Sequence, residues 1–290
     1  MTKNLKWIIL FLTPATLFFL YVYAIPIIVL FTTSFTEWTI GTAPKFIGIN
    51  NYIDLLTNDS DFIKAGINTG IWILLQSTIH VALGVLCALI LARKKFYWKF
   101  TRTVYMIPNI ISSAALGMMF LMIFNPTFGA VNSLIRIMGI KDFGHNWFLS
   151  DSTAFLAVTI IWLPFAANIT ILVLAEMSSI PPSILEAAYI DGAGEVQTNI
   201  RIVLPMVHRI IGTSTLLAAT SMLQKLDVIM MTTSGGPGNT TLNLPMYVYE
   251  TALRQNNFGK ANTAGVYMII IGLIVVKSIN WIYRMDESDI

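Results

Sequence analysis

The sequence predicts an all-α integral membrane protein with six transmembrane helices. Two features of the composition carry this prediction: 56% of the 290 residues are hydrophobic and only 11% are charged. A soluble domain carries about 25% charged residues, so the composition argues against a water-soluble enzyme. The net charge of +3 is also too small for a nucleic-acid-binding surface, and we expect no nucleic-acid partner.

Six apolar runs predict the individual helices, because about 20 apolar residues cross the roughly 30 Å of hydrocarbon in a bilayer. They lie near residues 7–32, 68–92, 104–124, 154–175, 210–231 and 263–283. Each run must be helical, since an open strand in lipid leaves its backbone groups unpaired. The first run contains Pro14 and Pro26 and is longer than the roughly 7–15 residues of a signal-peptide core. We therefore expect a retained anchor helix and a single membrane domain over residues 1–290.

The basic residues predict the orientation, because Lys and Arg concentrate in cytoplasmic segments. The segment between the second and third runs holds Arg93, Lys94, Lys95, Lys99 and Arg102 and no acidic residue. This segment is therefore expected in the cytoplasm. Both termini are then cytoplasmic, in a multi-pass protein of the cell membrane.

The second cytoplasmic connection, residues 176–209, contains a short helix with clear boundaries. Pro181 and Pro182 end the fourth run. Ser183 and Glu186 have the S-x-x-E spacing of a capping box, which predicts a helix over residues 184–191 that ends at Gly192. A second short helix is expected over residues 195–203, ending before Pro205. A two-turn helix is marginal by itself, so it either occupies a groove of a partner protein or is an ordinary capped turn.

The same segment resembles a known motif. Glu186-Ala-Ala-Tyr-Ile-Asp-Gly-Ala-Gly194, followed by Ile202-Val-Leu-Pro205, is similar to the EAA motif of ABC importer permeases. Residues 124–132, 233–241 and 258–261 resemble the loops of the sugar-uptake branch, the permeases of maltose-type and glycerol-phosphate-type importers. The resemblance covers nearly the whole chain in register.

This resemblance implies a type I ABC importer permease fold with a core bundle over residues 65–283 and a cytoplasmic coupling helix within residues 176–209. It implies four kinds of partner: an ATP-binding cassette ATPase dimer, a second and related permease subunit, an extracytoplasmic solute-binding protein and membrane lipid. The ATPase-coupling positions carried over from the motif are Glu186, Ala187, Ala188, Asp191, Gly192 and Ala193.

The chain contains no G-x-x-x-x-G-K-[ST] loop to hold ATP phosphates. We therefore expect no enzymatic activity and no cofactor in this chain, with ATP and Mg bound by the partner ATPase. The lone Cys87 and three histidines that are far apart in sequence predict no metal site.

Polar residues inside the runs are the candidates for a solute pathway, because they are costly in lipid and usually face a cavity or a partner. Gln224 and Asp227 are three apart and share a face of a continuous helix. Trp162 and Asn168 suit the apolar face and the hydroxyls of a sugar. Each of these residues has a structural alternative. Gln224 and Asp227 would lie at the water interface, with Lys225 snorkelling. Trp162 would be an anchor or a core residue, and Asn168 would hydrogen-bond a neighbouring helix.

The function predicted is that of a permease subunit that moves a sugar or sugar-like solute into the cytoplasm. An ion-coupled secondary carrier is the alternative, and it predicts intramembrane chains of acids or of acids and histidines. A membrane enzyme acting on lipid would need a polar catalytic cluster at one interface. The solute itself stays open among monosaccharides, oligosaccharides and glycerol phosphate.

Overall fold

The computed structural model describes residues 5–93, 96 and 98–285, and these are mostly helical. The predictions that rest on Lys94 and Lys95 lie outside the described residues. In chain order the helices are α1 Leu5–Phe19, α2 Ile25–Thr33, α3 Asn50–Thr57, α4 Ser60–Leu75, α5 Val81–Ala92, α6 Trp98–Ile110, α7 Ser113–Ile123, α8 Ala130–Ile137, α9 Ala154–Ile160, α10 Ala167–Met177, α11 Pro182–Ile190, α12 Glu195–Thr198, α13 Leu204–Met206, α14 His208–Ser221, α15 Asp227–Thr232, α16 Leu244–Tyr249 and α17 Phe258–Tyr283. One short antiparallel ribbon pairs β1 Thr36–Glu37 with β2 Lys45–Phe46.

Within the described residues, three helices are long and apolar enough to cross a membrane without a sharp bend. They are Lys6–Thr33, Ser60–Ala92 and Phe258–Tyr283. The first two contain single π turns, over Leu20–Ala24 and Gln76–His80, that do not interrupt the helical path. These three helices contain the first, second and sixth predicted runs.

The remaining runs contain bent or broken helices. The axes of α6 and α7 differ by 102°, those of α10 and α11 by 79°, and those of the segments Glu195–Met206 and His208–Gln224 by 70°. Counting each bent pair as one span gives up to six spans in the described chain.

The expectation of one uninterrupted helix is wrong for the third, fourth and fifth runs. In the third, α6 ends at Ile110 and α7 begins at Ser113. In the fourth, α9 ends at Ile160 and α10 begins at Ala167, with Pro164 between them. Proline has no backbone N–H and cannot continue the helical hydrogen-bond pattern. In the fifth, the backbone of Lys225 leaves the helical region, with φ −79° and ψ 83°.

The described chain forms two compact units, of which the first comprises residues up to 63 together with 247–270. Its ion-pair cluster centres on Asp59. Lys260 Nζ lies 2.7 Å from Asp59 Oδ2 and 2.9 Å from Asp54 Oδ2, and the Tyr247 hydroxyl donates to Asp59 Oδ2 at 2.6 Å. The cluster therefore ties α3, α16 and the start of α17 together.

The second unit comprises residues 64–246 and those from 271 onward. Its best-packed contact joins α5 to α10. A Cβ atom built on Gly84 would lie 2.7 Å from Ile169 Cβ, and the Thr170 hydroxyl donates to the Gly84 carbonyl at 3.0 Å. Small residues permit this close approach of two helices in a membrane. Buried apolar residues of α5, α10 and α14 extend this core.

Candidate functional site

The second unit contains an open cavity of about 620 Å³. Its walls come from the π turn before α5, from α6, α7, α10, α14 and α15, and from the interruptions in the fourth and fifth runs. Its polar lining residues are Gln76, His80, Asn109, Ser113, Asn168, Ser214, Ser221 and Lys225. The volume is in the range of small-molecule binding sites.

Side chains stabilise the interruption over residues 161–166 by pairing with three of its backbone carbonyls. His80 Nδ1 lies 2.8 Å from the Leu163 carbonyl oxygen, and the Tyr105 hydroxyl donates to the Pro164 carbonyl at 3.0 Å. Asn109 donates to the Phe165 carbonyl at 3.1 Å. Irregular backbone at membrane depth is tolerated only where protein or a water-filled cavity satisfies it, and here three side chains from other helices do so.

The interruption at Lys225 is held in a similar way. Asn243 Nδ2 donates to the Lys225 carbonyl oxygen at 2.6 Å, and Asn243 Oδ1 accepts from the Met246 backbone N–H at 3.0 Å. The Lys225 side chain lines the cavity, where its Nζ lies 5.6 Å from the centre of the Trp162 ring. This distance is within the range of a cation–π interaction.

Trp162 is fixed in the cavity wall by aromatic neighbours. The Trp72 ring packs edge-on to it at 5.4 Å and 74°. Trp72 is itself stacked on Phe155 at 4.6 Å, and its Nε1 donates to Thr159 Oγ1 at 2.8 Å. The Trp162 ring therefore has a defined orientation.

Two buried polar atoms of lining residues, Gln76 Oε1 and Ser214 Oγ, have no hydrogen-bond partner within the described part of the chain. Buried polar atoms are normally paired with protein or water, so these two are suited to bind water or a hydroxylated solute. Among the described residues that line the cavity, none is Asp or Glu.

The structure brings together only some of the residues predicted for the pathway. Trp162 and Asn168 line the cavity, whereas Gln224 and Asp227 are not among its lining residues. The shared helical face assumed for Gln224 and Asp227 does not exist, because the helix is interrupted between them. Asp227 instead accepts a hydrogen bond of 3.0 Å from the Val228 backbone N–H at the start of α15.

The sequence did not predict most of the polar residues that line the cavity, among them Gln76, His80 and Lys225. Gln76 and His80 are polar residues in an apolar run, and neither gives a local signal for a cavity. Lys225 was interpreted as snorkelling to the water interface, an interpretation that assumes a continuous helix. The mid-run polar pair Gln224-Lys225 was the signal for a helix interruption.

The predicted capping box in the cytoplasmic connection is wrong. Helix α11 begins at Pro182, with Pro181 as its N-cap residue and no side-chain capping bond. Proline is favoured in the first turn of a helix because it has no N–H, and a backbone N–H at that position would find no intrahelical acceptor. Ser183 is therefore already inside the helix, where it cannot act as the N-cap.

The end of α11 agrees with the predicted stop at Gly192. Gly192 has φ +79°, a left-handed conformation that glycine adopts without a Cβ penalty. The Gly192 N–H donates to the Tyr189 carbonyl at 3.1 Å and the Ala193 N–H to the Ala188 carbonyl at 2.9 Å. These bonds satisfy carbonyls that the helix end leaves free.

Most of α11 is exposed. Ala188 is buried with 6% exposure, whereas Tyr189 and Ile190 are 82% and 83% exposed. Glu186, Ala187 and Asp191 are exposed as well, and Ala193 is half-buried. Large apolar side chains on the outside of a short helix mark an interaction surface for a protein or a membrane.

The segment after α11 also departs from its prediction. The helical path from Glu195 does not end before Pro205 but continues to Met206, because a π turn over Asn199–Val203 precedes the proline. At its start, Glu195 forms an ion pair with Arg93 beyond the end of α5.

The connection that contains α11 is anchored at both of its ends. Ile180 before the helix, and Val203 and Val207 after it, are buried in the core that α5 and α10 form. The connection is therefore packed directly against α5 and α10, and α10 also lines the cavity.

Comparison with known proteins identifies the family. Residues 80–288 match the family model described as binding-protein-dependent transport system inner membrane component. The chain belongs to this family. The family's permeases are membrane subunits of ABC transporters and do not hydrolyse ATP themselves, so the predicted localisation and the predicted lack of enzymatic activity are confirmed.

Two curated permeases illustrate the similarity. The chain is 35% identical over 250 residues to the multiple sugar-binding transport system permease protein MsmF of Streptococcus mutans, covering 85% of this chain and 84% of that protein. It is 28% identical over 290 residues to the probable starch degradation products transport system permease protein AmyD of Thermoanaerobacterium thermosulfurigenes, covering 99% and 97%.

A solved structure confirms the predicted permease fold. A crystal structure of a bacterial alginate ABC transporter, in complex with an alginate pentasaccharide-bound periplasmic protein, contains a chain with a TM-score of 0.85 at 21% identity. The similarity covers 97% of this chain and 98% of that chain. The interrupted helices therefore belong to a known membrane fold.

Proposed function

We propose that this permease moves a saccharide through the cavity of its second unit, driven by a separate ATPase that binds α11. The observation that carries the proposal is the cavity between two helix interruptions, each stabilised by side chains. Such interruptions are positions where a helix changes direction with little loss of hydrogen bonding, and helix interruptions often surround the solute site of a transporter.

A saccharide suits the chemistry of the cavity. The rings of Trp162 and Phe165 offer apolar faces for the C–H side of a sugar, while the amides of Gln76 and Asn168 offer donors and acceptors for its hydroxyls. The names of MsmF and AmyD refer to sugars and to starch degradation products. Asn168 is exposed, so we assign it to the part of the pathway that solvent reaches.

The proposed ATPase contact is the exposed surface of α11 and its end. In this proposal Tyr189 and Ile190 supply apolar contact area, and Glu186 and Asp191 supply charge at the edge. Gly192 sets the direction in which the chain leaves the helix. Because the flanking residues are buried in the core, ATP-driven movement of α11 tilts the helices that line the cavity. Because α11 and the cavity then change conformation together, ATP binding at the ATPase and solute binding in the cavity affect each other's free energy.

The proposal places ATP and Mg on the partner ATPase dimer. It also includes a second, related permease subunit and an extracytoplasmic binding protein that delivers the solute. Residues Gln224 and Asp227 keep their predicted role as pathway contacts outside the cavity.

The test is reconstitution of the purified permease with its ATPase, its second permease and its binding protein in proteoliposomes. We expect ATP-dependent accumulation of a radiolabelled saccharide and co-purification of the ATPase. Liposomes with the permease alone should accumulate none. Saccharide accumulation by the permease alone, or by the complex without ATP, would contradict the proposal and favour a secondary carrier.

A further inference from the structure

Lys225 is the one lysine or arginine among the lining residues of the cavity in the described chain. It takes part in none of the ion pairs of the described residues. A charged residue within a membrane-spanning segment is costly and usually faces a cavity or a partner. A function in binding would account for its presence in this wall.

Within the described residues, no carboxylate lies within ion-pair distance of the Lys225 ammonium group. Asn243 fixes the backbone through the Lys225 carbonyl, and Trp162 lies 5.6 Å from Nζ. An aromatic face attracts a cation but carries no net charge. The next acid along the chain, Asp227, uses one carboxylate oxygen on the Val228 N–H and is not in an ion pair with Lys225 in the part of the chain that the structure describes.

The rest of the lining makes the cavity a site for an anion. His80 has one ring nitrogen 2.8 Å from the Leu163 carbonyl, and the remaining polar lining groups are amides and hydroxyls. Because no described lining residue is acidic, an anionic ligand meets no carboxylate repulsion from this wall. An ammonium group in a site of low polarity interacts strongly with a carboxylate or a phosphate.

We infer that the solute of this permease is an anionic saccharide whose acidic group pairs with Lys225. The inference rests on the proposed function, and it narrows the solute to sugars that carry a carboxylate, sulfonate or phosphate. A neutral oligosaccharide would leave the ammonium group unpaired in the occupied cavity, at a cost in binding free energy.

The test is equilibrium binding to the assembled importer in nanodiscs, with trigalacturonate, glucose 6-phosphate and maltotriose as probes. We expect at least one acidic probe to bind about ten times more tightly than maltotriose, with an affinity that falls as salt is added. Trigalacturonate and glucose 6-phosphate separate a carboxylate preference from a phosphate preference. Lys225→Met should remove the acidic preference, and Lys225→Arg should retain most of it.

Lys141→Met, at an exposed lysine away from the cavity, is the matched control and should bind as the unmodified importer does. Equal or tighter binding of maltotriose in the unmodified importer would overturn the inference, even where Lys225→Met fails to assemble. An unchanged preference in assembled Lys225→Met would overturn it as well. ATP-driven uptake of maltotriose without acidic preference would refute this inference alone, whereas no ATP-driven uptake of any saccharide would refute the proposed function.

Discussion

Arg93, just beyond the end of α5, forms an ion pair with Glu195 at the start of α12. The pair connects a helix of the cavity-bearing unit to the segment that follows the proposed coupling helix. Both side chains are largely exposed, at 39% and 56%, so the pair adds at most about 1 kcal/mol to stability. The pair joins the chain after α11 to the end of α5.

Reversing one charge of this pair should weaken coupling without unfolding the protein. We expect Arg93→Glu to lower ATP-driven uptake by about two- to fivefold, an effect equivalent to at most about 1 kcal/mol. The combined change Arg93→Glu with Glu195→Arg should recover most of the uptake. Failure of the double variant to exceed the single one would contradict a direct role for the pair.

Gly84 tests the packing between α5 and α10. Gly84→Leu should lower the unfolding temperature of the detergent-solubilised protein, because Ile169 already lies where the new Cβ atom would be. Overpacking of this kind costs about 1–3 kcal/mol. Gly66→Ala is the control, since no heavy atom lies within 4 Å of the position that its new Cβ atom would take. Similar unfolding temperatures for the two variants would contradict the close contact.

The Asp59 cluster predicts a specific dependence on pH. Burial raises the pKa of Asp59, but hydrogen bonds from Lys260, Tyr247 and the Phe62 backbone N–H together lower it below its ordinary value of 3.8. A lowered folded-state pKa stabilises the fold above the unfolded-state pKa, and this stabilisation is lost as pH falls through the folded-state pKa.

Asp59→Asn should therefore lower the unfolding temperature at pH 7, with a cost of about 1–3 kcal/mol for the lost charged hydrogen bonds. The difference from the unmodified protein should shrink below pH 3.8. Glu37→Gln, at an exposed position of the ribbon, is the control. A difference that stays constant from about pH 7 to about pH 3 would show that the Asp59 charge does not contribute.

Variants of Trp162 and Asp227 test two assignments of the solute pathway. Trp162 lines the cavity, whereas Asp227 was assigned to the pathway from the sequence and does not line the cavity. Trp162→Ala should raise the KM for uptake about tenfold, because it removes an aromatic wall of the cavity. Trp162→Phe keeps an aromatic ring at this position and should raise the KM less. Asp227→Ala should alter transport without loss of assembly if the sequence-based assignment is correct. Uptake kinetics for all three variants provide the measurement, and an unchanged KM for Trp162→Ala would remove the cavity from the pathway.

The sequence predicted the parts of the fold that depend on length and hydrophobicity. The first, second and sixth runs are helices close to the predicted bounds, and Gly192 ends α11 as its position after the apolar helix suggested. These features follow from local chemistry: the thickness of a bilayer and the freedom of glycine to adopt positive φ.

Features that depend on tertiary contacts were not predictable in the same way. The interruption near Pro164 is stable only because His80, Tyr105 and Asn109 reach its carbonyls from distant parts of the chain. Lys225 lines the cavity because Asn243 holds its carbonyl. A continuous helix was assumed at both places, and this assumption put Gln224 and Asp227 on one face.

The central claim is that α11 transmits the work of a separate ATPase to the cavity. Gly192→Pro tests it, because Gly192 has φ +79° and proline is restricted to about −65°. Glu186→Lys tests the charge of the same surface, and Glu37→Lys is the control at an exposed glutamate of the first unit.

The decisive measurement is ATP-driven saccharide uptake by the reconstituted importer, together with the amount of ATPase that co-purifies. We predict that Gly192→Pro and Glu186→Lys remain in the membrane but lose uptake and solute-stimulated ATP hydrolysis, while Glu37→Lys behaves as the unmodified permease does. Full uptake and full ATPase binding in both α11 variants would contradict the account.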